Sequence, residues 1–76
     1  MDNRDLLSER LQVERKLFFF DMKENARGRF LRITEDVSGR RDAIVIPASG
    51  LREFSDILNR IVADPAATPE PTSDEN

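Results

Sequence analysis

Across the stretch KLFFFDMKEN, from Lys16 to Asn25, the side chains sort into two sets at a spacing of two residues. Phe18, Phe20 and Met22 fall on one side; Leu17, Phe19, Asp21, Lys23 and Asn25 fall on the other. Only an extended chain gives consecutive residues opposite faces. The segment is therefore read as a strand with an apolar inner face and an outer face that is apolar at one end and polar at the other. The same period continues on both sides. Leu11 and Val13 alternate with Gln12 and Glu14, which predicts a half-buried strand over about 7–15. RFLRITED turns Leu31 and Ile33 inward and Phe30, Arg32 and Thr34 outward, and AIVIPA turns Ile44 and Ile46 inward. Turn signals separate these runs. Asn25-Ala26-Arg27-Gly28 holds two residues tolerant of positive φ, SGRRD (Ser38 to Asp42) is a second turn, and Pro47 has no amide hydrogen to continue a ladder.

After Pro47 the period changes. Leu51, Phe54, Ile57, Leu58, Ile61 and Val62 recur at three- and four-residue spacing, the mark of an amphipathic helix, with Arg52, Glu53, Asp56, Asn59 and Arg60 on the other face. Ser49 is the expected N-cap and Asp64-Pro65 the stop. The fold class is α+β: an antiparallel four-stranded sheet in a meander plus one C-terminal helix, with no internal repeat. Residues 1–5 are expected to be a flexible N-terminus and 6–63 the folded domain. Residues 64–76, DPAATPEPTSDEN, carry three prolines, four acids and no aromatic residue, and are expected to be a disordered acidic tail.

A chain of 76 residues has room for one domain, and a domain so short removes only about 60% of its surface from water. With no cysteine and no histidine, disulfides and the usual zinc ligand sets are excluded. Six large apolar residues on one helix make a stripe broader than a single small sheet covers. Two arrangements stay open: a monomer with a loosely covered core, or a two-fold dimer in which helices and sheets of two chains complete one core. Leu51, Phe54, Leu58 and Ile61 are the helix residues assigned to that core or dimer contact.

The formal net charge of −3 is unevenly spread. Residues 10–41 hold nine Arg/Lys against five Asp/Glu, whereas the two ends are acidic. A basic middle points to an acidic partner rather than to a fold. The longest apolar runs, LFFF and AIVI, are too short to span a bilayer, and MDNRD has no signal-peptide core, so a soluble cytoplasmic protein is expected. Without His or Cys, catalysis would fall to carboxylates, lysine or hydroxyls. Glu35-Asp36, the adjacent acid pair of the folded region, is read as a solvated turn, and no glycine-rich phosphate loop is present. Neither an enzyme nor a cofactor or metal site is expected. The outer face is more informative. Lys23 and Asn25 leave the second strand on the same side as Phe30 and Arg32 of the third, bringing together cations, an aromatic ring and an amide, the groups that bind single strands.

The segment ERKLFFFDMKENARGRFLRITE, Glu14 to Glu35, resembles the repeat of the purine-rich-element-binding (PUR) family, whose second and third strands read much like KRFYLDVKENxRGRFLKIAE. IVIPASGLREFSDILNRIV is similar to that family's fourth strand and helix, and the likeness covers about Leu6 to Val62. The resemblance implies a single PUR repeat, β-β-β-β-α, of the bacterial type. Two such repeats combine into one Whirly-like module, so a one-repeat chain would act as a homodimer. It further implies binding of single-stranded DNA or RNA, with purine- or G-rich strands preferred, by a nucleic-acid-associated regulator, including nucleoid-associated forms. By motif, Lys23 and Asn25 correspond to a K-x-N element that contacts phosphate and guanine edges. Phe30 corresponds to an aromatic residue that stacks on a base, Arg32 to a lysine of the family, and Lys16 to a lysine in the connection between the first two strands. Glu14 stands where some repeats have glutamine, Leu17 replaces a common basic residue, and Phe19 replaces tyrosine. The alternative is a protein-interaction module of the same fold whose outer face docks a polypeptide.

Overall fold

The computed structural model describes residues 3–69. Four strands form one antiparallel sheet in chain order: β1 (Arg4–Val13), β2 (Lys16–Asn25), β3 (Gly28–Val37) and β4 (Arg40–Pro47). A 3-10 turn (Ala48–Gly50), helix α1 (Leu51–Ala63) and a second 3-10 turn (Pro65–Ala67) follow. This is the α+β meander-plus-helix expected from the periodicity. The expectations for residues 1–2 and for the tail from residue 70 onward lie outside the described residues.

The tight hairpins make the strands longer or earlier than composition implied. Val13 pairs with Lys16, so β1 stops at Val13 rather than near residue 15; Glu14, at φ 56°, and Arg15 make the reversal. SGRRD is a turn only at Ser38-Gly39, whose φ values of 54° and 88° are both positive, as a two-residue primed hairpin turn requires. Arg40, Arg41 and Asp42 instead open β4, opposite Val37, Asp36 and Glu35. In the central hairpin Asn25 pairs with Gly28, and the Asn25 side-chain oxygen accepts the Arg27 amide hydrogen at 2.9 Å, closing an Asx-type turn. Ser49 does not cap α1. It lies inside the 3-10 turn, and Gly50 holds the N-cap position with no side-chain hydrogen bond. At the other end Asp64 stops the helix with extended backbone, and its carboxylate accepts the Ala66 amide hydrogen at 2.8 Å.

Residues paired across an antiparallel ladder share a face, so the register sorts the sheet. Leu7, Leu11, Phe18, Phe20, Met22, Leu31, Ile33, Ile44 and Ile46 all lie on one side. All but Leu7 are residues assigned inward by alternation, yet none of the described residues is buried. Leu11 remains 51% exposed and Ile44 56%. Helix α1 buries none of its own residues; Leu51 is half-buried, whereas Leu58 is 49% and Ile61 51% exposed, with Phe54 at the exposed limit. A single chain therefore carries two open apolar surfaces, one on the sheet and one on the helix. No helix among the described residues is long and apolar enough to cross a membrane.

Gly39 gives a clean test of the β3–β4 hairpin. A Cβ placed there meets nothing within 4 Å, so any cost is conformational rather than steric contact. Gly39→Ala should destabilise the fold by about 1–2 kcal/mol, the usual cost of a left-handed non-glycine residue. Urea denaturation should show a lower midpoint at unchanged slope.

Candidate nucleic-acid interface

The opposite face of the sheet is polar with aromatic inserts. Strand β2 contributes Phe19, Asp21, Lys23 and Asn25, and its neighbours add Arg10, Phe30, Arg32 and Arg41. Lys23 and Phe30 are direct cross-strand partners, Asn25 ends the same strand opposite Gly28, and Arg32 lies opposite Asp21. Four of the five residues singled out from the sequence are thus brought onto one face. Lys16 is not with them. The two-residue period that puts Lys23 on the polar face puts Lys16 with Phe18 and Phe20, where its ammonium pairs with Glu35 at 3.0 Å.

Each of the four sits in a distinct environment. Phe30 is half-buried between Lys23 on β2 and Pro47 on β4, and it borders an open groove of about 400 Å³ shared with Asn25, Val45 and Pro47. Lys23 donates to Asp5 at 2.6 Å, and its side chain is only 20% exposed. Asp5 reaches that position through a β-bulge: the register of β1 slips between Asp5 and Leu7, leaving Leu6 as an extra residue. Without the bulge, alternation would aim Asp5 at the apolar face. Asn25 spends its side-chain oxygen on the turn, which leaves its amide nitrogen as the group available to a ligand. Arg32 is exposed and, among the described residues, forms no ion pair. The carboxylate opposite it, Asp21, accepts a hydrogen bond from Ser8 Oγ at 2.7 Å instead.

A second cluster on this face was missed at the sequence level. The Arg10 guanidinium lies 5.9 Å from the centroid of the Phe19 ring and the Arg41 guanidinium 5.3 Å. Arg41 is held there by Asp36 at 2.8 Å, and Asp36 also accepts the Gly39 amide hydrogen at 3.0 Å. Phe19 was placed on the outer face correctly, but Arg41 was hidden by treating SGRRD as one loop. Ending that turn after Gly39 would have put Arg41 in a strand opposite Asp36. Glu35 and Asp36, adjacent in sequence, are not a solvated turn. They lie in β3 on opposite faces, each with its own cation.

Residues 1–76 match the family model described as PurA ssDNA and RNA-binding protein. The chain is 52% identical over 58 residues to the transcription factor Pur-alpha 1 of Arabidopsis thaliana, covering 76% of this chain and 20% of that protein. It is 42% identical over 83 residues to the transcriptional activator protein Pur-alpha of Homo sapiens, covering 92% of this chain and 26% of that protein. To the transcriptional activator plp-1 of Caenorhabditis elegans it is 41% identical over 59 residues, covering 74% of this chain and 26% of that protein. The chain thus spans about a fifth to a quarter of the length of these relatives. With the family model matched from end to end and relatives of 42–52% identity covering more than three quarters of it, the chain belongs to the PurA family of single-stranded DNA- and RNA-binding proteins.

Proposed function

We propose that the polar face of the sheet binds single-stranded DNA or RNA, with purine-rich strands preferred, and that the working unit is a homodimer. The observation that carries the first part is the meeting of Lys23, Asn25, Phe30 and Arg32 on one face of the sheet. Arg32 supplies a cation with no carboxylate partner among the described residues, ready for a phosphate. Lys23 exchanges its exposed Asp5 partner for a second phosphate, a cheap exchange because exposed ion pairs are worth only about 0–1 kcal/mol. Phe30 offers a ring to a base, a contact worth about 1–3 kcal/mol that tolerates any sequence. The Asn25 amide nitrogen donates to a base edge and supplies what preference there is. Lys16, on the other face and paired with Glu35, is left out of the contact set.

The second part is supported by the two open apolar surfaces. Leu, Ile and Phe side chains each gain about 1.5–3 kcal/mol on leaving water, and among the described residues of one chain none of them is buried. A second copy, laying its helix stripe and apolar sheet face on the first, offers the missing cover while leaving both polar faces to the ligand. The relatives named above are transcription factors and activators, and a regulator acting by strand binding in the cytoplasm, without catalysis, is the role proposed here.

Two measurements test the proposal. Fluorescence anisotropy with a purine-rich single strand should show Phe30→Ala losing about 1–3 kcal/mol of binding at an unchanged melting temperature. Arg32→Ala and Lys23→Ala should each make the salt dependence shallower by about one phosphate contact. Binding that does not respond to salt would overturn the strand-binding reading in favour of a protein ligand. Asn25→Ala should weaken the preference among bases and also lower stability, since it removes the Asx turn. For the assembly, light scattering should report twice the chain mass, and Leu58→Asp should abolish the dimer by placing an unpartnered carboxylate in the shared core. A monomer at micromolar concentration would refute the assembly.

A further inference from the structure

Phe19 stands at the middle of the sheet's polar face, half-buried, with a guanidinium approaching from either flank. Arg10 is its direct partner on β1, while Arg41 reaches in from β4, beyond the small side chains of Thr34 and Ala43. Two like charges gathered around one ring repel each other, and an exposed cation–π contact returns only about 0.5–1 kcal/mol. Only one of the two is neutralised. Asp36 pairs with Arg41, whereas Arg10 forms no ion pair among the described residues. Arg41 is moreover held in place before any ligand arrives. Its Nε binds Asp36 Oδ2, whose side chain is just 15% exposed, and Asp36 Oδ1 is fixed by the Gly39 amide in the hairpin turn. A cation oriented in advance loses less side-chain entropy on binding.

The space between this cluster and Phe30 is also shaped. A depression of about 370 Å³ lies over Thr34 and Ala43, and its rim carries three cations, Lys23, Arg32 and Arg41, against two carboxylates, Asp21 and Asp42. Phe19 precedes Lys23 by four residues in β2, so the two rings stand about 13 Å apart along the strand direction, with cations between them. Resting on the reading of this face as a single-strand interface, we propose that Phe19 with Arg10 and Arg41 is a second nucleotide subsite. One base stacks on the guanidinium-flanked ring, since both aromatic rings and guanidinium planes accept bases. The backbone running from there to Phe30 lays its phosphates over the depression. The occupant is a single strand because the cluster joins stacking planes to an excess of positive charge, a combination that a polyanion with exposed bases satisfies and an apolar peptide does not.

The test uses the full chain and a labelled purine-rich DNA strand of about 12 nucleotides, a length that reaches past one stacking site. Phe19→Ala should weaken binding about 5- to 150-fold, matching the loss of one stacked base, while Phe19→Tyr should bind like the parent chain. Arg10→Ala, at an exposed position, should lower the salt slope by about one contact with no change in thermal stability. If Phe30→Ala weakens binding but Phe19→Ala and Arg10→Ala do not, the cluster is packing only and the second subsite is overturned, with the interface itself intact. If none of the three changes affinity, the interface lies elsewhere and both proposals fail. Should Phe19→Ala lose its fold, Arg10→Ala alone decides: an unchanged salt slope rules the subsite out.

Discussion

Side chains leave a strand with a period of two, so the pairing of Lys23 with Phe30 across β2 and β3 decides which face every other residue of the sheet occupies. A slip of one residue in either outer ladder would carry Leu11 or Ile44 onto the polar face and bring acids and arginines among the phenylalanines. The register is held by turn chemistry rather than by burial, since none of the described residues is buried. The central hairpin is locked by the Asn25 oxygen on the Arg27 amide. The last is fixed by positive φ at Ser38 and Gly39, with Asp36 tying the Gly39 amide to the strand. Each device fixes the loop at two residues and so fixes the count on both sides.

That division of labour leaves the apolar side short of stabilisation. Domains of this size hold about 3–5 kcal/mol of net stability even when their cores are closed, against a general range of about 5–15. Here the sheet offers a largely apolar face, interrupted by Glu9 and edged by the Lys16–Glu35 pair, and the helix an apolar stripe, and the single chain does not bring them together into a sealed core. The proposed second copy resolves this without touching the polar face. Folding and assembly would then be one event, and ligand binding on the outer side would be insulated from it by the thickness of the sheet.

Most of the architecture was legible because the sheet alternates cleanly: the faces of β2, β3 and β4, the stop at Pro47 and the end of the helix before Asp64 all follow from the pattern. What escaped has physical reasons. Arg40 to Asp42 were read as loop because charged residues beside Gly39 look like turn composition, whereas the turn needs only two residues and the strand continues with charges on it. Ser49 has the right chemistry for a cap, but the chain leaving Pro47 takes a 3-10 turn first and hands the position to Gly50. Asp5 could not be placed because a bulge has no signature in alternation; it breaks the period at Leu6 and turns a carboxylate toward Lys23. Lys16 was assigned from resemblance, while its own position in the two-residue period already put it on the apolar side.

A chain with a net charge of −3 can still present a surface for a polyanion because charge acts locally. Beyond about 8 Å at physiological salt, exposed charges are largely screened, so the acids outside the basic middle of the chain weigh little against side chains that touch the ligand. On the polar face itself, each acid is already engaged. Asp5 faces Lys23, Asp36 holds Arg41, and Asp21 takes the Ser8 hydroxyl, which spares Arg32, the cation across the ladder from it. The acids differ in what a phosphate meets. Asp5 is 71% exposed and readily gives up its lysine, whereas Asp36 is nearly covered and keeps its arginine in place. On the proposed reading, a phosphate would displace the first carboxylate, while the second holds its guanidinium in position for one. Affinity on such a face is the difference between new phosphate contacts and old carboxylate ones, so its salt dependence reports only the cations that were free or exchangeable beforehand.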